Sequence, residues 1–173
     1  MILGGGKTTY YLSKMLTNIG INTRIIECDE KRCEHLGSII PDATIIYGDG
    51  TKQELLIEEG LNKQDAFVAL TGIDEQNILM SLFASTQDVK KVISKVNKDE
   101  LSSLSERIGL ESIVSPKEVT SSVVLRYVRA LENTKDSNVE ALYRLMDGRV
   151  EALEFAAKTQ LKIYDKPLKE LRT

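Results

Sequence analysis

The chain has 173 residues, 42% of them hydrophobic and 28% charged, with a net charge of −3 at neutral pH. That length suits one domain, or one domain and part of a second, with a substantial core. The slight acidity and the lack of a basic stripe argue against nucleic acid as a partner, and no apolar run approaches the ~20 residues of a membrane span, so a cytoplasmic location is expected.

In chain order, three apolar residues (1–3) open a short strand and lead into a glycine run, Gly4-Gly5-Gly6. An interior strand usually runs ~5–6 residues, so the chain reads as a piece of a longer polypeptide. "KTTYYLSKMLTNIG" follows with helical period, placing Thr8, Tyr11, Leu12, Met15, Leu16 and Ile19 on one face that is expected to be buried, and Gly20 as the stop. β-branched runs recur at 23–28, 43–47, 66–70, 90–96 and 112–114, separated by stretches of helical period such as "DEQNILMSLFAST", with Ile78, Leu79, Leu82 and Phe83 grouped. Strict alternation of strand and helix predicts βαβ units: an α/β fold with a parallel sheet and helices on both faces. A helix over 119–132 carries a stripe of Val119, Val123, Tyr127, Val128 and Leu131, and Asp147-Gly148 between alternating residues signals a hairpin.

The glycine run admits two readings. As the tail of a P-loop, Gly6-Lys7-Thr8 needs its first glycine at position 1, which is Met1, leaving a loop too short to wrap a phosphate. The alternative is the glycine finger of a Rossmann unit, in which Gly4 makes the tight turn and Gly6 allows close approach of a pyrophosphate to the helix N-terminus. Glu27, 21 residues after Gly6 at the end of the second strand, occupies the place of the acid that accepts ribose hydroxyls, and its charge repels the 2′-phosphate of NADP. Thr9 departs from the third glycine and is expected to hold the first helix slightly off the sheet. Lys7 adds a charge that the finger does not require.

Other strand ends converge on the same sheet edge. "YGDGT" places Asp49 and Gly50 where an adenine edge would lie, "ALTGIDEQNI" places Thr71 and Gly72 over ribose and pyrophosphate, with Asn77 in the next helix, and "ISKVN" places Lys95 at the end of the fifth strand. Ligands of open α/β sheets bind at that edge, although Gly, Asp, Thr and Asn are also ordinary turn and cap residues. Cys28 and Cys33, with His35 nearby, lack a fourth ligand and zinc spacing, and read as reduced thiols.

Taken in order, "ILGGGKTTYYLSKML", "IIECDEKRCEHL", "IIYGDGTKQELLIEEGL", "DAFVALTGIDEQNILMSLFA" and "NVEALYRLMDGRVEALEF" resemble successive motifs of the TrkA family, the cytoplasmic regulatory subunits of Trk potassium-uptake systems built from regulator-of-potassium-conductance (RCK) modules. "ILGGG" followed by "YYL" is more similar to the second of two tandem modules. The resemblance implies a Rossmann-like lobe with crossover helix over 1–134 and the start of a small α+β C-terminal subdomain, truncated, over 135–173. It also implies binding of NAD(H) or ATP/ADP, a homo-oligomer built as dimers or a ring of dimers, and a membrane potassium transporter subunit as partner. By position, Gly4, Gly6 and Lys7 match the phosphate-facing loop, Glu27 the ribose acid, Asp49 and Gly50 the adenine contacts, Thr71 the turn over the nucleotide and Lys95 the basic residue at the fifth strand.

The expected function is therefore a regulatory nucleotide-binding subunit, not an enzyme. Two alternatives stay open: a nucleotide-independent scaffold with a degenerate site, and an NAD-dependent oxidoreductase. The second lacks a placed proton donor, because "YYLSK" is expected to be buried on the first helix, His35 lies on the second, and about 40 residues after the sheet are too few for a substrate domain.

Overall fold

The computed structural model of the chain describes residues 1–110, 112–132, 139–145 and 150–155. Contacts divide the chain into two compact units, Met1–Val119 and Thr120–Thr173. In the first, the elements alternate as expected: β1 (Ile2–Leu3), α1 (Lys7–Asn18), β2 (Arg24–Glu27), α2 (Glu30–Ile39), β3 (Thr44–Tyr47), α3 (Gln53–Glu58), β4 (Ala66–Ala69), α4 (Asp74–Ser85), β5 (Lys91–Lys95), α5 (Asp99–Arg107) and β6 (Ile113–Val114). All pairings in this sheet are parallel and the strand order is β3-β2-β1-β4-β5-β6. The order reverses between β1 and β4, which opens a crevice at the carboxyl ends of the strands.

Each strand sends alternate residues to opposite faces, and the two cores follow that period. Leu3, Ile26, Phe67 and Ala69 pack with Leu56 of α3 and Met80 and Ala84 of α4 on one face. Ile2, Ile25, Val68 and Leu70 pack with Leu36 of α2, joined by Tyr10 and Leu12 of α1, on the other. Both faces are thus covered, which is why the central strands are nearly continuous apolar runs.

Helix α1 does not bury the face that its apolar spacing predicts. Tyr11, Met15 and Ile19 are 64%, 68% and 71% exposed, whereas Thr9 and Ser13 are fully buried. The reason is steric and polar: two small side chains let the helix lie close to the sheet, the Ser13 and Thr23 hydroxyls share a 2.6 Å hydrogen bond, and the Thr9 hydroxyl donates to the Gly4 carbonyl. Thr9 therefore stitches α1 to the glycine loop instead of holding the helix off. In α4 the predicted face is kept for Ile78, but Leu79 is 60% exposed.

Helix α6 (Pro116–Glu132) begins in the first unit and continues into the second, where β7 (Val139–Leu145) and β8 (Val150–Phe155) pair antiparallel. The strands flanking the expected hairpin are present, while Asp147 and Gly148 lie outside the described residues. Most of the region 135–173 lies outside them as well.

Two buried polar side chains at the start of α4 lock β4 to β5. Asn77 donates from Nδ2 to the Lys95 carbonyl (2.9 Å) and accepts at Oδ1 from the Thr71 amide (2.9 Å) and hydroxyl (2.7 Å). Asp74, 4% exposed, accepts from the Asn97 amide and side chain and the Lys98 amide at 2.8–3.0 Å. Burial raises the Asp74 pKa, but the Asn97 and Lys98 donors outweigh it and hold the carboxyl below its ordinary 3.8. A depressed folded-state pKa gives stability that is present above the unfolded value and is lost as pH falls through the folded one. Urea unfolding should show this contribution unchanged from neutral pH down to about pH 5 and declining below about pH 4. Asp74→Asn should cost about 1–3 kcal/mol at neutral pH and flatten the acid limb; an unaltered acid limb would show that Asp74 does not carry it.

Candidate functional site

The crevice at the switch point is a cleft of about 400 Å³ lined by the ends of β1 and β2, the loops that follow β1, β2, β3 and β4, and Gln76 of α4. At its base, Gly4 has φ +94° and donates its amide to the Ile26 carbonyl at 2.8 Å. A Cβ at Gly4 would lie 3.0 Å from the Thr71 backbone, so β1 and the β4 loop approach too closely for any side chain. A Cβ at Gly5 would meet Leu36 at 2.6 Å and the Glu27 carboxylate at 2.8 Å. At Gly6, which also lines the cleft, a Cβ would meet nothing within 4 Å.

Glu27 is anchored by the backbone around it. Its Oε2 accepts from the Gly5 amide (2.5 Å), and its Oε1 from the Cys28 and Asp29 amides (2.7 and 2.9 Å) and the Cys28 thiol (3.4 Å). Burial raises its pKa, and the Asp29, Gly5 and Cys28 donors more than offset that, so the carboxyl titrates below its ordinary 4.5 and is ionised at neutral pH. The same charge acts on the thiols: the hydrogen bond to Glu27, then burial, raises Cys28, and burial, then the Glu27 charge, raises Cys33. Both therefore stay protonated at neutral pH. Among the described residues no group of three or more His, Cys, Asp or Glu could hold a metal ion.

Gly5 is held through both of its backbone groups, because Arg32 Nε donates to its carbonyl at 2.6 Å while Glu27 accepts from its amide. Asp29 caps α2 through the Arg32 amide (2.9 Å), which sets the first turn of that helix against the glycine loop. Across the cleft, Asp49 Oδ1 accepts from the Thr51 amide (3.0 Å) and hydroxyl (2.7 Å), and these bonds lower its pKa.

Six of the eight residues expected from sequence line this cleft together: Gly4, Gly6, Glu27, Asp49, Gly50 and Thr71. Two stand outside it. Lys7 is an exposed residue at the first position of α1, and Lys95 directs its ammonium to the Leu70 carbonyl at 3.4 Å. Sequence reasoning passed over Gly5, Cys28, Thr51 and Gln76, which also line the cleft, and Arg32, which supports it. Position beside an assigned residue was the available signal for the first three. Arg32 offered only its place in the first turn of a capped helix.

Helix α1 starts without a side-chain cap and without an acidic residue in its first turn. Helices α2 to α6 each carry Asp or Glu there. An acid at a helix N-terminus offsets its partial positive charge; among the described helices only α1 has none in its first turn, and its start lies beside the cleft.

Gly4→Ala should destabilise the chain by about 1–3 kcal/mol in urea unfolding, through the left-handed φ and the contact with Thr71. Wild-type stability in that variant would mean that the loop relaxes freely and that the close approach is not a constraint.

A TrkA-N domain model matches residues 1–116. The Trk system potassium uptake protein TrkA homolog 2 of Methanosarcina mazei is 32% identical over 173 residues, 99% of this chain and 37% of that relative. The chain thus spans less than half the length of the curated relatives it matches. Among solved structures, the TrkA-N domain of the inner membrane protein ybaL from Escherichia coli aligns with TM-score 0.66 at 14% identity over 73% of this chain and 93% of that one. The Kef C-terminal domain of Shewanella denitrificans, in AMP-bound form, aligns with TM-score 0.60 at 14% identity over 77% and 81%. With two thirds of its length matched by the domain model and strand order 3-2-1-4-5-6 around a glycine-lined cleft, the chain belongs to the TrkA-N domain family.

Proposed function

We propose that the chain is a regulatory module that binds an adenine nucleotide, NAD(H) or ATP/ADP, in the switch-point cleft and transmits its occupancy to a membrane potassium transporter without a covalent step. The observation that carries this reading is Glu27, an ionised carboxylate fixed at the cleft by three backbone amides beside the glycine loop. Ribose hydroxyls would replace the weak Cys28 thiol donor on Oε1 and use the remaining acceptor capacity of Oε2. The phosphates would meet Gly6 and the uncapped start of α1, with Lys7 at the rim, while Gly50 and Asp49 would border the adenine and Thr71 would close over the ligand. Lys95, on the strand beyond, would act through the Leu70 carbonyl that it touches.

The potassium-uptake relatives support the transporter half of the reading, and the AMP-bound Kef domain supports a nucleotide in this fold. No helix among the described residues is long and apolar enough to cross a membrane, which suits a module acting from the cytoplasmic side. We assign residues 1–134 to the nucleotide lobe with its crossover helix, and 135–173 to the start of a C-terminal subdomain.

Occupancy can move a transporter only through differential affinity for two arrangements, with couplings of typically ~1–3 kcal/mol. Calorimetric titration should show saturable nucleotide binding without turnover, and Glu27→Ala should weaken it by about 1–3 kcal/mol while the fold persists. In the full-length protein with its transporter, potassium flux should respond to exchange of NADH for NAD or ATP for ADP, and the Glu27→Ala protein should lose that response. Flux indifferent to every nucleotide would replace this reading with the scaffold one.

Self-association is part of the reading, since a symmetric assembly gives a soluble module mechanical purchase on a pore. On α6, Val119, Val123, Tyr127 and Val128 are all 42–65% exposed, and they form the candidate surface. Sedimentation should show dimers or larger species at micromolar concentration, and Val123→Glu with Tyr127→Glu should shift them to monomer. A wild-type monomer throughout that range would remove this surface from consideration.

A further inference from the structure

Two thiols come together at the rim of the cleft. We infer that Cys28 and Cys33 form a dithiol site that closes to a disulfide by exchange with a low-molecular-weight disulfide, and that closure acts on the Glu27 carboxylate. Closure is independent of what the cleft binds.

The first observation is where the two cysteines stand on α2. Asp29 is the N-cap and its Oδ1 accepts from the Arg32 amide, so Cys28 is the residue before the cap and Cys33 the fourth residue of the helix. In a capped helix these two positions turn their side chains toward each other, a contact that an apolar pair usually makes. Here both are thiols, and the chain has no other cysteine.

The second observation is that both sulfurs converge on one residue. Cys28 Sγ donates to Glu27 Oε1 and Cys33 Sγ to the Glu27 carbonyl, each at 3.4 Å. Neither is sealed from solvent: Cys28 is exposed and lines the cleft, and Cys33 is half-buried.

Exchange proceeds in two steps. The Cys28 thiolate attacks one sulfur of the small disulfide, forms a mixed disulfide and expels one thiolate. The Cys33 thiolate then attacks Cys28 Sγ, and the second small thiolate leaves. The protein gives up two electrons and two protons, and the small disulfide takes both pairs to become two thiols. The second step is intramolecular and outruns the addition of a second adduct. Only a thiolate attacks. The hydrogen bond to Glu27, then burial, raises the Cys28 pKa, with the Glu27 and Asp49 charges adding to it; burial, then the charges of Glu27, Asp29 and Glu30, raises that of Cys33. Closure is therefore slow at neutral pH and accelerates about tenfold per pH unit toward the thiol range.

The consequence reaches Glu27 directly. A disulfide consumes the Cys28 S–H, so Glu27 Oε1 loses that donor and keeps the Cys28 and Asp29 amides. The lost bond is one of those that hold the carboxyl below its ordinary 4.5, so closure raises the Glu27 pKa.

Incubation of the intact, reduced chain with hydroxyethyl disulfide at mildly alkaline pH tests this. Mass spectrometry should show both thiols lost together with no retained adduct, and peptide mapping should find Cys28 linked to Cys33. Cys28→Ser and Cys33→Ser should each stop at one stable adduct. Phenylarsine oxide, which needs two neighbouring sulfurs, should bind the wild-type chain at least about tenfold more tightly than either variant. Carboxyl NMR should place the Glu27 titration midpoint higher in the oxidised chain than in the reduced one. Two adducts per chain, or disulfide-linked dimers in place of an internal bond, overturn the dithiol site. An unchanged Glu27 midpoint overturns its action on the carboxylate.

Discussion

The contact between the Glu27 carboxylate and the Gly5 amide ties the end of β2 to the loop after β1, and the geometry of the cleft depends on it. Gly5 must lack a side chain because the carboxylate and Leu36 already fill the space that a Cβ would take. Arg32 can grip the Gly5 carbonyl only because Asp29 caps α2 and brings its first turn to the loop. One residue is thus clamped between an anion and a cation, each held in turn by its own strand or helix end. The result is a loop held in one arrangement at the base of the cleft.

The other wall of the cleft is built by polar groups of a different kind. Asn77 and Asp74 are buried, neutral and ionised respectively, and both bond backbone and side-chain partners at or just beyond the ends of β4 and β5. Asn77 holds the Thr71 turn over Gly4 at a separation that excludes a Cβ. Buried polar groups that are completely bonded specify one arrangement, because any shift leaves a donor or acceptor unpaired in a low dielectric. Stability and site geometry are therefore set by the same residues on this side.

Along α1 the usual division of labour is inverted. Hydroxyls of Thr9 and Ser13 face the sheet, and Tyr11, Met15 and Ile19 face outward. Small polar side chains bring the helix close enough for its N-terminus to meet the cleft, and each hydroxyl has a partner that cancels the desolvation cost.

Local patterns in the sequence determined the order of strands and helices, the parallel sheet, the glycine loop and the acid at the end of β2. These follow from period, turn chemistry and fixed spacing, which act over a few residues and survive in any context. Tertiary structure alone decided which face of α1 is buried, because apolar spacing marks a stripe but cannot weigh it against close packing through Thr9 and Ser13. It also decided that Arg32 reaches Gly5, 27 positions away, and that Lys7 and Lys95 stand outside the cleft that Gly4, Gly6, Glu27, Asp49, Gly50 and Thr71 line. Such outcomes depend on how long, flexible side chains divide themselves among carbonyls and solvent once the strands are side by side. No spacing along the chain encodes that competition.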